Sequence, residues 1–232
     1  GIDENSLIIF SKVRDNIVFT KGTPRKLINL NGSVLSLLTG GAGNSNYWHW
    51  LYDVLPKFEI CKKSFDLDKI DFFLLPSLDK KFQNETLDFL KIPINKRISS
   101  KKFRHIKAKK LIITDHPVVT TGNATKDIQN IPHWIILWLK NNFLNTIKAQ
   151  NQRNRIYIDR NDEESQYQKE RFLINEEEIK KYLVKNNFLM VKLHDLHFTE
   201  QVNLFNNAEC VVGLHGGGFG NIAFCKPGTK II

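Results

Sequence analysis

Two short segments of the chain carry residue types that could do chemistry. In NYWHWLYDVLPKF, residues 46–58, His49 and Asp53 are four positions apart in a stretch predicted to be helical. That spacing places both side chains on one helical face. An aspartate beside a histidine raises the basicity of the imidazole and fixes its tautomer, as a general base requires. The spacing also fits a packing helix with a structural His–Asp pair, and taken alone it favours that structural interpretation.

The second segment is the glycine-rich run VVGLHGGGFGNIAF, residues 211–224. It is typical of a buried strand, a tight turn and the start of a helix. Glycines in such a turn would allow left-handed backbone and let N–H groups approach an anion, usually a phosphate, at a helix N-terminus. A plain tight connection is the alternative. The run does not match the dinucleotide pattern G-x-G-x-x-G followed by an acidic residue.

Alternating strand and helix signals place these segments in an α/β fold with a parallel, Rossmann-like sheet. We predict strands within residues 1–40 and at 71–75, 109–114, 155–159, 188–193, 210–214 and after Gly228, and helices at about 46–56, 80–90, 132–147, 175 onwards and 199–205. Asn175 and Glu178 fit a capping box at the start of one helix. Because ligands bind beyond the carboxyl ends of parallel strands, Arg160 and His215 are expected to face one crevice.

The charge of the chain favours anionic partners. Lysine and arginine number 34 against 24 aspartates and glutamates, a net charge of +10, and the densest basic stretch is 95–110. An exposed basic face suits lipid headgroups, sugar phosphates or nucleic acid, although a simply solvated lysine-rich surface fits at least as well. Without a zinc finger, an aromatic RNA-binding signature or a helix-turn-helix, we expect no nucleic-acid partner.

Several bulk features bear on location and metals. No window approaches 18 consecutive apolar residues, and no signal peptide is visible at the start. Three scattered cysteines form neither a metal site nor a disulfide framework, which favours a reducing compartment. We expect a cytoplasmic protein, either free or at the inner face of the membrane. No metal site is expected, since Asp66 and Asp68 fit a solvated turn.

Taken together, the segments resemble glycosyltransferase family 61, the group of bacterial capsular-polysaccharide transferases and eukaryotic O-linked GlcNAc and plant xylan transferases. The matching pieces are NYWHWLYDVLPKF, RIYIDR, RFLINEEEI and FTEQVNLFNNAECVVGLHGGGFGNIAFCKPGT, in the family's order and spacing. Two features depart from the family pattern. The usual H-G-A-G-L-T-N reads HGGGFGN here, and the sequence ends before the glutamate that commonly follows the PGT strand.

The resemblance implies a GT-B-like fold, with two Rossmann-type domains facing a cleft. An acceptor-side domain would span 1–147. A nucleotide-sugar-binding domain, expected to be incomplete, would span 148–232 and begin with a polar linker at 148–155. The implied reaction is an inverting transfer of a hexose or pentose from a nucleotide-diphosphate donor, such as a UDP-sugar, to a glycan or lipid-linked glycan. It would serve cell-surface or capsular polysaccharide synthesis and generally need neither an essential metal nor another cofactor.

The resemblance also distributes roles among residues. His49 and Asp53 are the catalytic candidates, without a distinction between them. The donor diphosphate and nucleotide would contact Arg160, Asn175, Glu178, His215, Gly216, Gly217, Gly218 and Asn221. Two readings from other classes stay open: a non-catalytic nucleotide- or glycan-binding module of the same fold, and a nucleic-acid-binding protein, which rests on the charge alone.

Overall fold

The computed structural model describes residues 26–39, 45–118, 126, 129–145, 153–160 and 173–232. This part of the chain forms two four-stranded sheets. The first contains β1 (Ile28–Ser36), β2 (Phe72–Leu75), β3 (Arg97–Ser99) and β4 (Ile106–Ile113), in the order β3-β2-β1-β4. The second contains β5 (Asn154–Ile158), β6 (Phe188–Val191), β7 (Ala208–Gly213) and β8 (Lys230–Ile231), in the order β6-β5-β7-β8.

Every strand pair in both sheets is parallel, which confirms the predicted α/β class. In each sheet the strand order reverses beside the strand that comes first in sequence. The reversal lies between β1 and β4 in the first sheet and between β5 and β7 in the second. Open parallel sheets bind ligands at the carboxyl ends of the strands where the order reverses. We call these two places the first and the second switch point.

Helices connect the strands. They are α1 (Tyr47–His49), continued by a π-helical turn (Trp50–Val54), then α2 (Lys57–Lys62), α3 (Lys81–Phe89), α4 (His133–Phe143), α5 (Glu176–Lys185) and α6 (Phe198–Asn206). Short 3₁₀ helices lie at Leu67–Lys69, Ile94–Lys96, Leu193–Asp195 and Gly217–Phe224. None of the helices in the described ranges combines the length and the apolar character that crossing a membrane requires.

The predicted helix after residue 46 begins as expected but changes type. The Asn46 side chain accepts hydrogen bonds from the backbone N–H groups of Trp48 and His49, and so caps α1. The next turn is π-helical, with the Leu55 N–H donating to the Trp50 carbonyl. Turns of this kind recur at functional sites.

One local prediction fails, and one strand was not predicted. The capping box at Asn175 is wrong: this residue precedes α5, but its side chain makes no capping bond, since φ −108° and ψ 34° lie outside the extended region that capping needs. Strand β3 has no counterpart among the predicted strands, because it is three residues long and lies within the basic stretch. The strands expected within 1–25 and most of the proposed linker lie outside the described residues.

One apolar core reaches from the first sheet to the second. At its centre the Phe143 ring at the end of α4 lies 4.8 Å from the Phe198 ring and 6.3 Å from the Phe224 ring. The Lys140 ammonium on the same helix donates to the Cys225 carbonyl at 3.0 Å. Helix α4 precedes the second sheet in sequence, yet it packs on the segment that follows the glycines.

Candidate active site at the two switch points

Arg160 and the glycine loop meet at the second switch point. Ile158 at the end of β5 pairs with Gly213 at the end of β7, so the residues after both strands lie at the same sheet edge. There the Arg160 Nη1 donates to the backbone carbonyl of His215 at 2.7 Å. The sequence pattern predicts that Arg160 and His215 lie close together. The contact, however, is made by the backbone carbonyl of His215, and His215 is exposed.

The glycines of this loop allow close packing rather than an unusual turn. A Cβ on Gly216 would lie 3.0 Å from Arg160 Nη1, and one on Gly218 would lie 2.7 Å from Leu193 Cδ1. The expected left-handed turn is wrong, because Gly216 has an extended φ of 172°. Among the described glycines, the left-handed one is Gly228, with φ 87°. The segment after Gly216 is a 3₁₀ helix, whose first N–H groups lack intrahelical acceptors.

A pocket of about 240 Å³ opens at this switch point. Its walls are mainly aromatic and aliphatic, with a few polar groups. The lining residues are Tyr47, Phe82, Ile158, Asp159, Arg160, Leu193, His194, Gln201, Leu214, Gly216, Gly218 and Phe219. Apolar walls with a few convergent polar groups are typical of small-molecule sites. A flat heteroaromatic ring fits the aromatic walls, and a guanidinium suits phosphate oxygens.

A half-buried ion-pair network supports the end of β5. The Lys180 Nζ lies 3.0 Å from Asp159 Oδ2 and 3.5 Å from Glu176 Oε1. Burial opposes the charged form of Lys180, but the hydrogen bond and charge of Asp159, together with Glu176, outweigh it and raise the lysine pKa. The ammonium therefore ties α5 to the residue that precedes Arg160. Asn175 and Glu178 lie exposed at the start of this helix, outside the pocket lining.

Asn221 differs from its expected role as a ligand contact. It is fully buried, accepts a hydrogen bond from the Tyr47 hydroxyl at 2.6 Å and donates to Gln201 Oε1 at 3.0 Å. Burial raises the Tyr47 pKa well above its ordinary value, so the hydroxyl keeps its proton and donates. Asn221 therefore links α1 to the 3₁₀ helix Gly217–Phe224 and to α6, and it is not among the residues that line the pocket.

The two segments singled out in the sequence pack directly on each other. A Cβ on Gly217 would lie 3.6 Å from the Tyr47 Cβ, and one on Gly220 would lie 3.6 Å from the Trp48 Cα, both ordinary contact distances. The Tyr52 hydroxyl donates to the Gly220 carbonyl at 2.9 Å. The turn that carries His49 and Asp53 is thus anchored to the loop that holds Arg160.

His49 and Asp53 form a close pair beside the first switch point. His49 Nδ1 lies 2.6 Å from Asp53 Oδ2, and the two side chains are 32% and 10% exposed. With Nδ1 engaged by the carboxylate, Nε2 is the nitrogen able to accept a proton from a substrate. The pair therefore has the geometry of a base and its orienting group, with the imidazole as the more accessible member.

Two further side chains, from outside the His49–Asp53 turn, approach the same carboxylate. His116, shortly after β4, places its Nε2 3.9 Å from Asp53 Oδ1. Lys57 is buried and donates to the Leu38 carbonyl at 2.6 Å; burial lowers its pKa, and the Asp53 charge opposes that shift. Sequence reasoning missed both residues, although His116 could have been found as a polar residue just after the strand predicted at 109–114.

Metal-binding clusters are not apparent in the described ranges, where no group of three or more His, Cys, Asp or Glu side chains is placed to hold an ion. Asp66 and Asp68 are exposed, as expected of a solvated turn. The Asp66 carboxylate caps the 3₁₀ helix Leu67–Lys69 by accepting from the Asp68 N–H at 3.0 Å. The Asp66 carboxylate therefore has a structural function.

The chain was compared with known proteins. A comparison with curated proteins found no match. The sequence profile of the family described as Glycosyltransferase 61 matches residues 47–232, a range that begins at α1 and contains β2 to β8. The matched range is most of the chain and contains His49, Asp53, Arg160 and the glycine loop. The chain therefore belongs to glycosyltransferase family 61.

Proposed function

We propose that the protein is an inverting transferase that moves a sugar from a nucleotide-diphosphate donor to a glycan acceptor. Membership of family 61 supports glycosyl transfer in general. The observation that carries the finer proposal is the packing of the His49–Asp53 turn on the glycine loop beside Arg160. A proton acceptor and an anion-binding group are thereby held on neighbouring elements, as displacement of a diphosphate by a hydroxyl requires.

The donor occupies the pocket at the second switch point. The Arg160 guanidinium has five N–H donors and can contact phosphate while Nη1 holds the His215 carbonyl. The first N–H groups of the 3₁₀ helix Gly217–Phe224 add neutral donors for the same anion. The rings of Tyr47, Phe82 and Phe219 supply the flat surfaces that a nucleobase stacks on.

The acceptor enters beside the first switch point. His49 Nε2 takes the proton of the attacking hydroxyl, whose oxygen forms a bond to the anomeric carbon as the bond to the diphosphate breaks. The nucleoside diphosphate leaves with that electron pair, and displacement from the opposite face inverts the anomeric configuration. Asp53 stays ionised and stabilises the imidazolium through Nδ1.

We propose that leaving-group stabilisation by Arg160 and backbone N–H groups makes a metal ion dispensable. A GT-B arrangement, with the carboxyl edges of both sheets serving one site, is part of the same proposal. The expected readout is transfer that persists in EDTA. Loss of transfer in EDTA, with recovery on adding Mg²⁺ or Mn²⁺, would overturn the metal-independent mechanism.

The exposed basic segment suggests where the acceptor is met. Lys101, Lys102 and Arg104 lie exposed between β3 and β4, and Lys107, Lys109 and Lys110 are exposed on β4. Two members of the basic stretch are only half-exposed: Lys96 donates to the Asp68 and Ile70 carbonyls, and Arg97 binds Asp88. Of the exposed set, Lys101 forms a surface ion pair with Asp79. We propose that the exposed set attracts an anionic membrane surface that carries a lipid-linked acceptor, at the cytoplasmic face and in cell-surface polysaccharide synthesis.

The proposal is tested with a panel of nucleotide sugars. Thermal unfolding is measured with UDP-, GDP-, CMP- and dTDP-sugars, and each stabilising donor is then incubated with a panel of glycans and lipid-linked glycans. We expect one nucleotide class to stabilise the protein and proton NMR to show a product of inverted anomeric configuration. Nucleotide binding without transfer to any acceptor would favour a binding module. Steeply salt-dependent DNA binding without nucleotide preference would favour a nucleic-acid-binding protein.

A further inference from the structure

We propose that His116 is a positioning residue that holds Asp53 in the orientation in which it directs His49. This role rests on the proposed function, in which His49 is the base. The three side chains come from separate elements, because His49 and Asp53 lie on the turn after β1 whereas His116 follows β4. Pairing of β1 with β4 brings them to one sheet edge, with Ser36 beside Ile113.

Each oxygen of the Asp53 carboxylate faces a different histidine. Oδ2 lies 2.6 Å from His49 Nδ1, and Oδ1 lies 3.9 Å from His116 Nε2. The second distance is too long for a hydrogen bond. At this separation an Nε2 that carries a proton still attracts the carboxylate electrostatically. A carboxylate held at one oxygen can still turn about its Cβ–Cγ bond, and a partner at the other oxygen opposes that rotation.

The His116 ring is itself fixed by the backbone. Its Nδ1 lies 2.8 Å from the Val118 carbonyl oxygen and 3.2 Å from the Val118 N–H group. Val118 belongs to the apolar core that both sheets share. These contacts hold the ring so that Nε2 faces Asp53. When Nδ1 accepts from the Val118 N–H, the neutral ring carries its proton on Nε2, toward the carboxylate.

The environment of Asp53 explains why a second partner is needed. Its side chain is 10% exposed, and a carboxylate so far removed from water requires compensating charge or hydrogen bonds. Lys57 contributes a nearby positive charge, but its Nζ is held by the Leu38 carbonyl. His116 is therefore the group placed to fix Oδ1, while His49 remains available for the proton.

A double-mutant cycle separates positioning from general packing. We expect His116→Leu to lower kcat about 10- to 100-fold through misplacement of the base, with UDP affinity unchanged. His116→Gln should retain most of the activity, because an amide N–H can face Oδ1. In an Asp53→Asn background, His116→Leu should cause no further loss. His133→Gln, at an exposed histidine that begins α4, is the matched control and should behave as wild type.

The imidazole tautomer gives a readout that does not depend on transfer. Long-range ¹H–¹⁵N NMR should show His49 mainly as the Nδ1–H form in the wild type, in His116→Gln and in His133→Gln. In His116→Leu the Nε2–H fraction of His49 should rise. If that rise occurs in a protein that transfers no sugar, the positioning role stands and the proposed function fails. If neither the tautomer nor kcat changes in His116→Leu, or if the loss is as large in the Asp53→Asn background, the positioning role is overturned and the proposed function is unaffected.

Discussion

The two switch points hold charged groups by different means. At the second switch point, Arg160 and the glycine loop follow adjacent strands. The arginine packs against Gly216, which has no side chain that could displace it. At the first, the Asp53 carboxylate is approached by His49 from its own turn, by His116 from the end of β4 and by Lys57 from the start of α2. The second switch point places a guanidinium in the pocket lining, and the first surrounds a buried carboxylate with one lysine and two histidines.

The difference suits the chemistry assigned to each place. In the proposed function, the half-buried Arg160 guanidinium and nearby backbone N–H groups bind an anion that arrives and leaves. In the same proposal, the carboxylate between the histidines sets the direction and tautomer of the base, and that role requires rigidity rather than access. The Tyr47–Asn221 hydrogen bond joins the two places, since Tyr47 lies on the same helical segment as His49.

The largest expected effect concerns the core shared by both halves. Phe143 is buried and its ring contacts Phe198 and Phe224, so Phe143→Ala should lower the free energy of unfolding by about 3–5 kcal/mol. Chemical denaturation should show one transition in wild type and variant. Phe103→Ala, in the small cluster of the first sheet, is the control and should cost less. Two separate transitions would show that the halves unfold independently.

The next effect concerns vesicle binding by the exposed basic residues near β3 and β4. Replacing Lys101, Lys102 and Arg104 with Ser should weaken binding to phosphatidylserine-containing vesicles by about 1 kcal/mol per residue. The matched control removes three exposed lysines of the second half, by Lys181→Ser, Lys185→Ser and Lys192→Ser. Co-sedimentation measures both triple variants. Equal losses would mean that net charge, and not the first half, governs the contact.

A smaller effect is expected where the two places are joined. Tyr47→Phe removes the hydroxyl that donates to Asn221 and leaves a buried amide oxygen without that partner, at a cost of about 1–3 kcal/mol in unfolding free energy. Tyr182→Phe is the control, because Tyr182 is 66% exposed. Thermal and denaturant unfolding should separate the two variants, and equal stability would show that the junction does not depend on this bond.

The smallest effect tests why the loop is glycine-rich. Gly216→Ala would place a methyl group 3.0 Å from Arg160 Nη1, whereas Gly217→Ala meets neighbours at ordinary distances of 3.6 Å or more. We expect the first variant to weaken UDP binding by about 1 kcal/mol, roughly fivefold, and the second to bind as wild type. Calorimetry checks both. The reverse order would contradict close packing of Arg160 as the reason for the glycine.

The second switch point was predictable because its signal is local. The glycine run and Arg160 directly follow recognisable strands, and the parallel alternation indicates that both lie at one edge. Asn221 looked like a ligand contact in the same run, but burial and its bonds to Tyr47 and Gln201 give it a structural function. The local sequence predicts at which end of a strand or helix the polar residues lie. The packing of the whole fold determines which of them can face a ligand.

The first switch point could be predicted only in part. The His49–Asp53 spacing was visible, as was the start of a helix at about residue 46. The approach of His116 to Asp53 depends on the pairing of β1 with β4, which no local pattern encodes. Lys57 resembles any surface lysine in a lysine-rich chain until the fold buries it.

The central claim is that the first switch point supplies the base and the second binds the donor. It is tested most directly by comparing one single variant from each switch point. For His49→Gln and Arg160→Gln we would measure kcat with a competent donor and the dissociation constant of UDP. His49→Gln should lower kcat about 10²–10⁴-fold and leave UDP binding unchanged. Arg160→Gln should weaken UDP about 10- to 100-fold, the value of a lost charge-assisted hydrogen bond. Normal turnover by His49→Gln, or an equal loss of UDP affinity in both variants, would contradict a base at the first switch point and a donor site at the second.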